Sequence, residues 1–225
     1  MQNDEKLQDC IAQFSNKYSK AKLVSAIEGF QWARDSKEAS LQKRKQLSMT
    51  YHSWVTSGAN SESAEDMANA VYKWGFGNRK SPPSLLANLT LFCELNRHWY
   101  SGQDRQKMTT SLSEFLELKG IGIASASKWI CFADENRFAI YDSRVSAALR
   151  TIKVRGKVVF PTVGRRPVSG KKYPYATPRT NDQMAHDYLF FIDFVNDIAK
   201  SYGIDSPAEI EMGLFMLGDK EENWT

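Results

Sequence analysis

The 225-residue chain is 42% hydrophobic and 12% aromatic, too apolar for a disordered polypeptide and rich enough to bury a sizeable core. Its longest strongly apolar run, Tyr188 to Val195, is much too short to cross a bilayer, and the opening MQNDEKLQDC lacks the apolar stretch of a signal peptide. A formal net charge of +4 excludes little by itself, so the placement of the charges has to be read along the chain.

Apolar residues recur mainly at helical spacing. Leu7, Ile11 and Phe14 mark a first amphipathic helix, and Leu23, Ile27, Phe30 and Ala33 a second. The basic, polar stretch KEASLQKRKQ then leads to Tyr51, Trp54 and Val55. A polar loop ending in helix-start residues precedes MANAVYKWGFG, where Gly75 and Gly77 are expected to stop the helix. The prolines of NRKSPPS restart one at LLANLTLFCELNRHWY. Short helices are expected from Thr110 to Leu118 and from Ala124 to Ala133, with Gly120 and Gly122 in the turn between them. RFAIY reads as a brief extended connector, and Asp142 as the N-cap of a helix at SRVSAALRTI.

From Ile152 to Asn181 there is no Asp or Glu, but there are eight cations: Lys153, Arg155, Lys157, Arg165, Arg166, Lys171, Lys172 and Arg179. Pro161, Pro167, Pro174 and Pro178 exclude a long helix here and leave room for a short hairpin. Positive charge concentrated in this way suits either a solvated loop or a polyanion contact. A long amphipathic helix follows from about Asn181 to Tyr202, and SPAE at Ser206 opens the last one. The fold class is therefore mainly α, about ten short helices with one basic, irregular or short-β insertion.

Cys10, Cys93 and Cys131 lie far apart without a CxxC pair, and His52, His98 and His186 are equally scattered. No zinc or iron–sulfur site is expected from side chains. Isolated thiols fit a reducing compartment, so a cytoplasmic protein with no membrane partner is expected.

The turn LKGIGIASASKW poses the functional question. Glycine frees the backbone, and a helix starting just after it presents amides without partners, which suits a phosphate. Eighteen residues after Ala124 stands Asp142, in FAIYDSRVSAAL. Leu118, Gly120, Ile121 and Gly122, followed by Ile140, Asp142 and Val145, give the segment Leu118 to Leu149 its character. It resembles the helix-hairpin-helix (HhH-GPD) superfamily of DNA glycosylases. The close match covers only this segment, while the helices on either side are compatible but less specific.

The resemblance implies two helical subdomains around a cleft within one domain spanning 1–225. The helical core would occupy about 20–105 and 106–150, with the hairpin at 118–129, the insertion at 152–180 and C-terminal helices packing back at 181–225. It further implies that Gly120, Ile121 and Gly122 grip a DNA phosphate, with a monovalent cation (sodium or potassium) on hairpin carbonyls as the one cofactor. A nucleotide would be flipped into the cleft, where Asp142 assists cleavage of its N-glycosidic bond. An aspartate at this point also caps a helix, worth about 1 kcal/mol, and one carboxylate can do both.

One departure from the superfamily is informative. Members with lyase activity carry a lysine where this chain has Ala124, so a monofunctional enzyme leaving an intact abasic site is expected. Lys128, one helical turn on, either reaches the pocket or stays solvated on phosphate. Arg144 and Lys128 are further candidates for base or phosphate contact. Arg155, Arg165, Arg166, Lys171 and Lys172 are candidates for non-specific DNA binding. Trp74, Phe76 and Asn78, with Arg79, form an aromatic–polar turn that could wedge into the duplex. Trp32, Trp54 and Phe215 could stack on a base, although aromatics at helical spacing are more often core. The expected partner is double-stranded DNA carrying a damaged, mispaired or modified base, met by a monomer in the nucleoid. Its task would be base excision repair or defence against hypermodified phage DNA. The rival readings are a DNA-binding protein that keeps the hairpin without catalysis, and a helical interaction domain with no DNA role.

Overall fold

A computed structural model describes residues 2–32, 35–77, 79–102, 104–164 and 176–219. Among them are eleven helices and one two-stranded hairpin, a mainly α architecture as the periodicity requires. In chain order the helices are α1 (Gln2–Lys17), α2 (Lys20–Glu28), α3 (Lys37–Thr56), α4 (Ala64–Phe76), α5 (Pro83–Leu86) and α6 (Leu89–Ser101). There follow α7 (Arg105–Leu116), α8 (Ile123–Ala133), α9 (Ser143–Leu149), α10 (Asn181–Tyr202) and α11 (Pro207–Gly218). No helix is long and apolar enough to cross a membrane, among the described residues.

Local chemistry sets most of the boundaries. Ser19, Ser36, Asp104, Thr180 and Ser206 each accept a backbone N–H from the first turn that follows, and Thr180 forms a full capping box with Gln183. Two expectations fail at helix ends. KEASLQKRKQ is not a separate segment but the first half of α3: Ser36 caps it, and the buried face carries Ser40 and Arg44 in place of apolar residues, which hides the helical period. Gly75 does not stop α4 either. It is buried inside the helix, and Gly77, at φ 69°, supplies the end.

The core centres on α8, which is buried along nearly its whole length. Trp129 packs against Tyr72, Phe92 and Phe115, and its indole N–H donates to Ala68 O at 3.2 Å. The helices α3, α4, α6 and α7 pack around α8. A second group, α10 on α7 and α11 on α9 and α2, closes the other side. Gly218 permits the α11–α9 approach, because a Cβ there would lie 1.8 Å from Arg144 O. Removing such a clash requires backbone movement rather than a rotamer change.

The connector from Phe138 to Tyr141 is buried without a sheet partner, so side chains satisfy its backbone. Tyr188 OH donates to Ala139 O at 2.9 Å, and Tyr141 N donates to Ser127 Oγ at 3.0 Å. This bracing carries the chain from α8 to the start of α9. The insertion opens with the expected hairpin, β1 (Lys153–Val154) antiparallel to β2 (Lys157–Val158), with Arg155 and Gly156 both at positive φ in the turn. Thr162 and Thr177 bond to each other twice, and Val163 N donates to Ser146 Oγ at 3.0 Å. The two ends of the insertion are thereby held together beside α9.

Candidate active site

Asp142 occupies the N-cap of α9, as its sequence context predicts. Its Oδ1 accepts from Arg144 N at 2.9 Å and Val145 N at 3.1 Å. Its Oδ2 has no hydrogen-bond partner among the described residues, although the side chain is only 9% exposed. Capping thus uses one oxygen and leaves the other for chemistry.

That carboxylate lines a cavity of about 310 Å3. Ala124 and Lys128 of α8 form one wall, Gly75 and Phe76 of α4 another, and Trp32 and Phe215 a third. Arg79, Arg144, Val163 and Gly164 complete it. Aromatic rings and cations around a single carboxylate suit a flat, polar ligand that can stack and accept hydrogen bonds. The size is at the small end of ligand pockets, which run from about 300 to 1,000 Å3.

Lys128 is not a solvated lysine. It is 3% exposed, donates from Nζ to Ala124 O at 3.0 Å, and holds its ammonium 5.0 Å from the centroid of the Phe76 ring. The amine therefore bends back towards residue 124. Burial pushes its pKa down, the nearby Asp142 and Glu211 carboxylates oppose that, and Arg44 adds to it. Gly75 makes the position possible: a Cβ there would lie 2.6 Å from Lys128 Cδ and 2.7 Å from Cε. The glycine in α4 is a notch for the lysine stem.

Arg144 spans the cavity rim. Its guanidinium lies 4.4 Å from the Phe215 centroid and 5.8 Å from that of Trp32, and Nε pairs with Asp219 Oδ1 at 2.7 Å. Trp32 is fixed by its N–H donation to Ser40 Oγ and by its indole N–H on Trp74 O at 2.9 Å. Trp74 itself stacks on Trp32 at 5.5 Å and meets Phe132 edge-on. Trp74 and Phe76 belong to the last turn of α4, so the expected wedge-bearing turn is not formed by them; Asn78 lies outside the described residues. Trp54 is stacked on Phe92 in the core, away from the cavity lining.

The turn between α7 and α8 lies beside this wall. Gly120 adopts φ 87°, which requires glycine. Gly122 is extended at φ −133°, and a Cβ there would meet nothing within 4 Å, so its contribution is open space rather than special geometry. The amides of Gly122, Ile123 and Ala124 have no backbone acceptor among the described residues, which leaves three donors at a helix N-terminus. Ile121 is buried and anchors the turn. The carbonyls of Leu118, Lys119 and Gly122 each accept from protein donors, Lys119 from Ser84 Oγ. Leu118 O and Lys119 O each keep a second lone pair, as carbonyl ligation of a monovalent cation would need, whereas Gly122 O already accepts from both Ser125 N and Ala126 N.

The basic insertion does not converge on the cavity through its described cations. Arg155 is 75% exposed and lies 4.0 Å from Glu5 of α1. Arg165, Arg166, Lys171 and Lys172 lie outside the described residues. Among its described residues, the insertion brings Val163 and Gly164 to the cavity.

Behind the cavity is a buried ionic cluster that hydrophobic patterning could not reveal. Arg44 of α3 is 2% exposed, donates from Nε to Glu135 Oε1 at 2.6 Å and places Nη2 2.8 Å from Glu211 Oε2. The latter ion pair falls short of hydrogen-bond geometry and leaves Glu211 Oε2 unsatisfied; Arg44 Nη1 is a second buried polar atom without a hydrogen bond. Glu211 is pushed up to about 7, chiefly by burial and against the pull of Arg44, with Asp142 raising it further. The one signal available in the sequence was an arginine on the inward face of a helix.

The mainly helical fold thus sets a half-free carboxylate at a helix start, on an aromatic-lined cavity beside a glycine turn with open amides. A family model described as "Putative 8-oxoguanine DNA glycosylase OGG-like protein" matches residues 14–215, a span containing every residue that lines the cavity. The chain belongs to this DNA glycosylase-like family, whose substrate is DNA. No curated protein and no solved structure matches it.

Proposed function

We propose that the protein is a monofunctional DNA glycosylase that takes a damaged, mispaired or modified base into the cavity and hydrolyses its N-glycosidic bond, leaving an abasic site. The observation that carries this reading is Asp142, with one oxygen committed to its helix cap and the other free at the cavity. As the bond to the base breaks, positive charge develops on the sugar. A carboxylate facing that carbon stabilises the charge and takes a proton from the attacking water. Phe76, Trp32 and Phe215 offer faces for the extruded base, which recovers part of the stacking lost from the duplex. The amides of Gly122, Ile123 and Ala124 suit a phosphate beside the flipped nucleotide. Residue 124 supplies no amine, so no covalent sugar intermediate forms there.

Base excision repair is the task that suits the family. The test is a screen of duplexes bearing 8-oxoguanine, alkylated purines, mismatched adenine and modified cytosines, each treated with alkali after incubation. Alkali-labile sites on at least one duplex, lost with Asp142→Asn while binding persists, are expected. Binding without cleavage across the whole panel would establish a non-catalytic DNA-binding protein instead.

A further inference from the structure

Lys128 is the one buried ionisable group of the cavity wall to which the hydrolysis above gives no part. Burying an amine costs several kcal/mol unless it is compensated, so an idle lysine here would be selected against in favour of methionine or leucine. The fold instead makes room for it. Gly75 gives up the Cβ that would collide with its stem, at a helix-interior cost of about 0.5–1 kcal/mol relative to alanine. Its only hydrogen bond among the described residues goes to Ala124 O, leaving two of the three ammonium protons uncommitted in a group that lines the cavity.

The surroundings decide what such an amine can do. Carbonyl Ala124, the Phe76 face and the carboxylates of Asp142 and Glu211 all favour the protonated form. Burial and the Arg44 guanidinium oppose it. Arg79 and Arg144 are the other cations on the cavity wall. The ammonium is therefore held in place, yet it gives up a proton more readily than an exposed lysine would. Loss of a base from the sugar needs that complement: the electrons of the broken bond pass to the base, where a proton has to meet them.

We propose that Lys128 is a catalytic residue, the proton donor to the departing base, lining the same cavity as Asp142. This inference rests on the glycosylase reading. In the step, the bond between C1′ and the base nitrogen breaks and its electron pair stays with the base. The base takes a proton from Lys128 Nζ. Water adds to C1′ and loses its proton to Asp142, and exchange with solvent returns both groups to their starting states. No redox partner or cofactor is needed. An acid and a base lining one cavity is the arrangement that general acid–base catalysis requires, and each such group contributes roughly 10²–10⁴-fold.

The experiment measures single-turnover excision on the most reactive duplex of the panel, from pH 5 to 10, with parallel borohydride treatment. Lys128→Met should slow excision by about 10²-fold or more and abolish the fall in rate on the alkaline side. Gly75→Ala is the second variant, because it keeps the amine but forces its stem aside; it should slow excision about tenfold or more while α4 stays folded by circular dichroism. Excision by Lys128→Met within about twofold of wild type would overturn the proposal. So would a covalent DNA adduct in wild type that disappears with Lys128→Met, since the amine would then be a nucleophile. If wild type excises nothing from the panel, the glycosylase reading falls and this one with it, whereas an active Lys128→Met removes only the proton donor.

Discussion

Two buried regions on either side of α8 treat polar groups in opposite ways. In the core formed by α3, α6 and α7, buried polar side chains meet neutral partners: Tyr51 OH donates to Asn96 Oδ1 at 3.0 Å, Asn96 Nδ2 to Phe92 O at 2.8 Å, and Trp99 Nε1 to Met108 O at 3.0 Å. Towards α4, α9 and α11 the buried groups are charged: Arg44, Lys128, Asp142 and Glu211, with Glu135 at the edge. There two polar atoms stay unsatisfied and Asp142 Oδ2 is left open. The first region is arranged for stability. The second keeps electrostatic potential unspent beside a cavity, which is where catalytic groups are made.

The largest expected effect on stability comes from unbalancing the charged region. Arg44→Met should cost about 3–5 kcal/mol, because it leaves Glu211 buried without its cation. Adding Glu211→Leu should recover most of that loss, since an apolar pair of similar volume avoids desolvation altogether. Urea unfolding of both variants checks this; a double variant as unstable as the single one would mean the charges are not the source of the penalty.

A pH effect of intermediate size should separate the regions next. Glu211 has a folded value of about 7 against an ordinary 4.5, so the folded state holds its proton more tightly. The stability this group contributes is present below pH 4.5 and is lost as pH rises through about 7. Wild type should therefore lose stability relative to Glu211→Gln between pH 5 and 7, read as diverging urea midpoints. Parallel midpoints would show that Glu211 is ionised throughout.

The smallest effects belong to single neutral hydrogen bonds and caps. Tyr51→Phe should cost about 1 kcal/mol, or somewhat more if Asn96 Oδ1 is left unpaired, with no change in DNA excision. Asp142→Asn keeps a capping side chain and should shift stability by only a few tenths of a kcal/mol while abolishing excision. A large loss of stability with Asp142→Asn would make this residue structural first.

The sequence alone determined the mainly helical class, the caps at Asp142 and Ser206, and the short hairpin in the insertion. It did so because capping, proline and turn chemistry act over three or four residues, a range visible in one stretch of chain. The GIG turn and Asp142 were legible for the same reason, each being a local pattern at a fixed spacing. What tertiary structure decided was everything that depends on a second element coming close. Arg44 read only as part of a basic, polar stretch until α11 brought Glu211 against it. Gly75 read as a helix stop, and only the packing of α8 shows it to be a space for Lys128. The lysine itself was ambiguous between solvent and pocket, because burial is a property of the assembled walls, and no residue carries it in its own neighbourhood of the sequence.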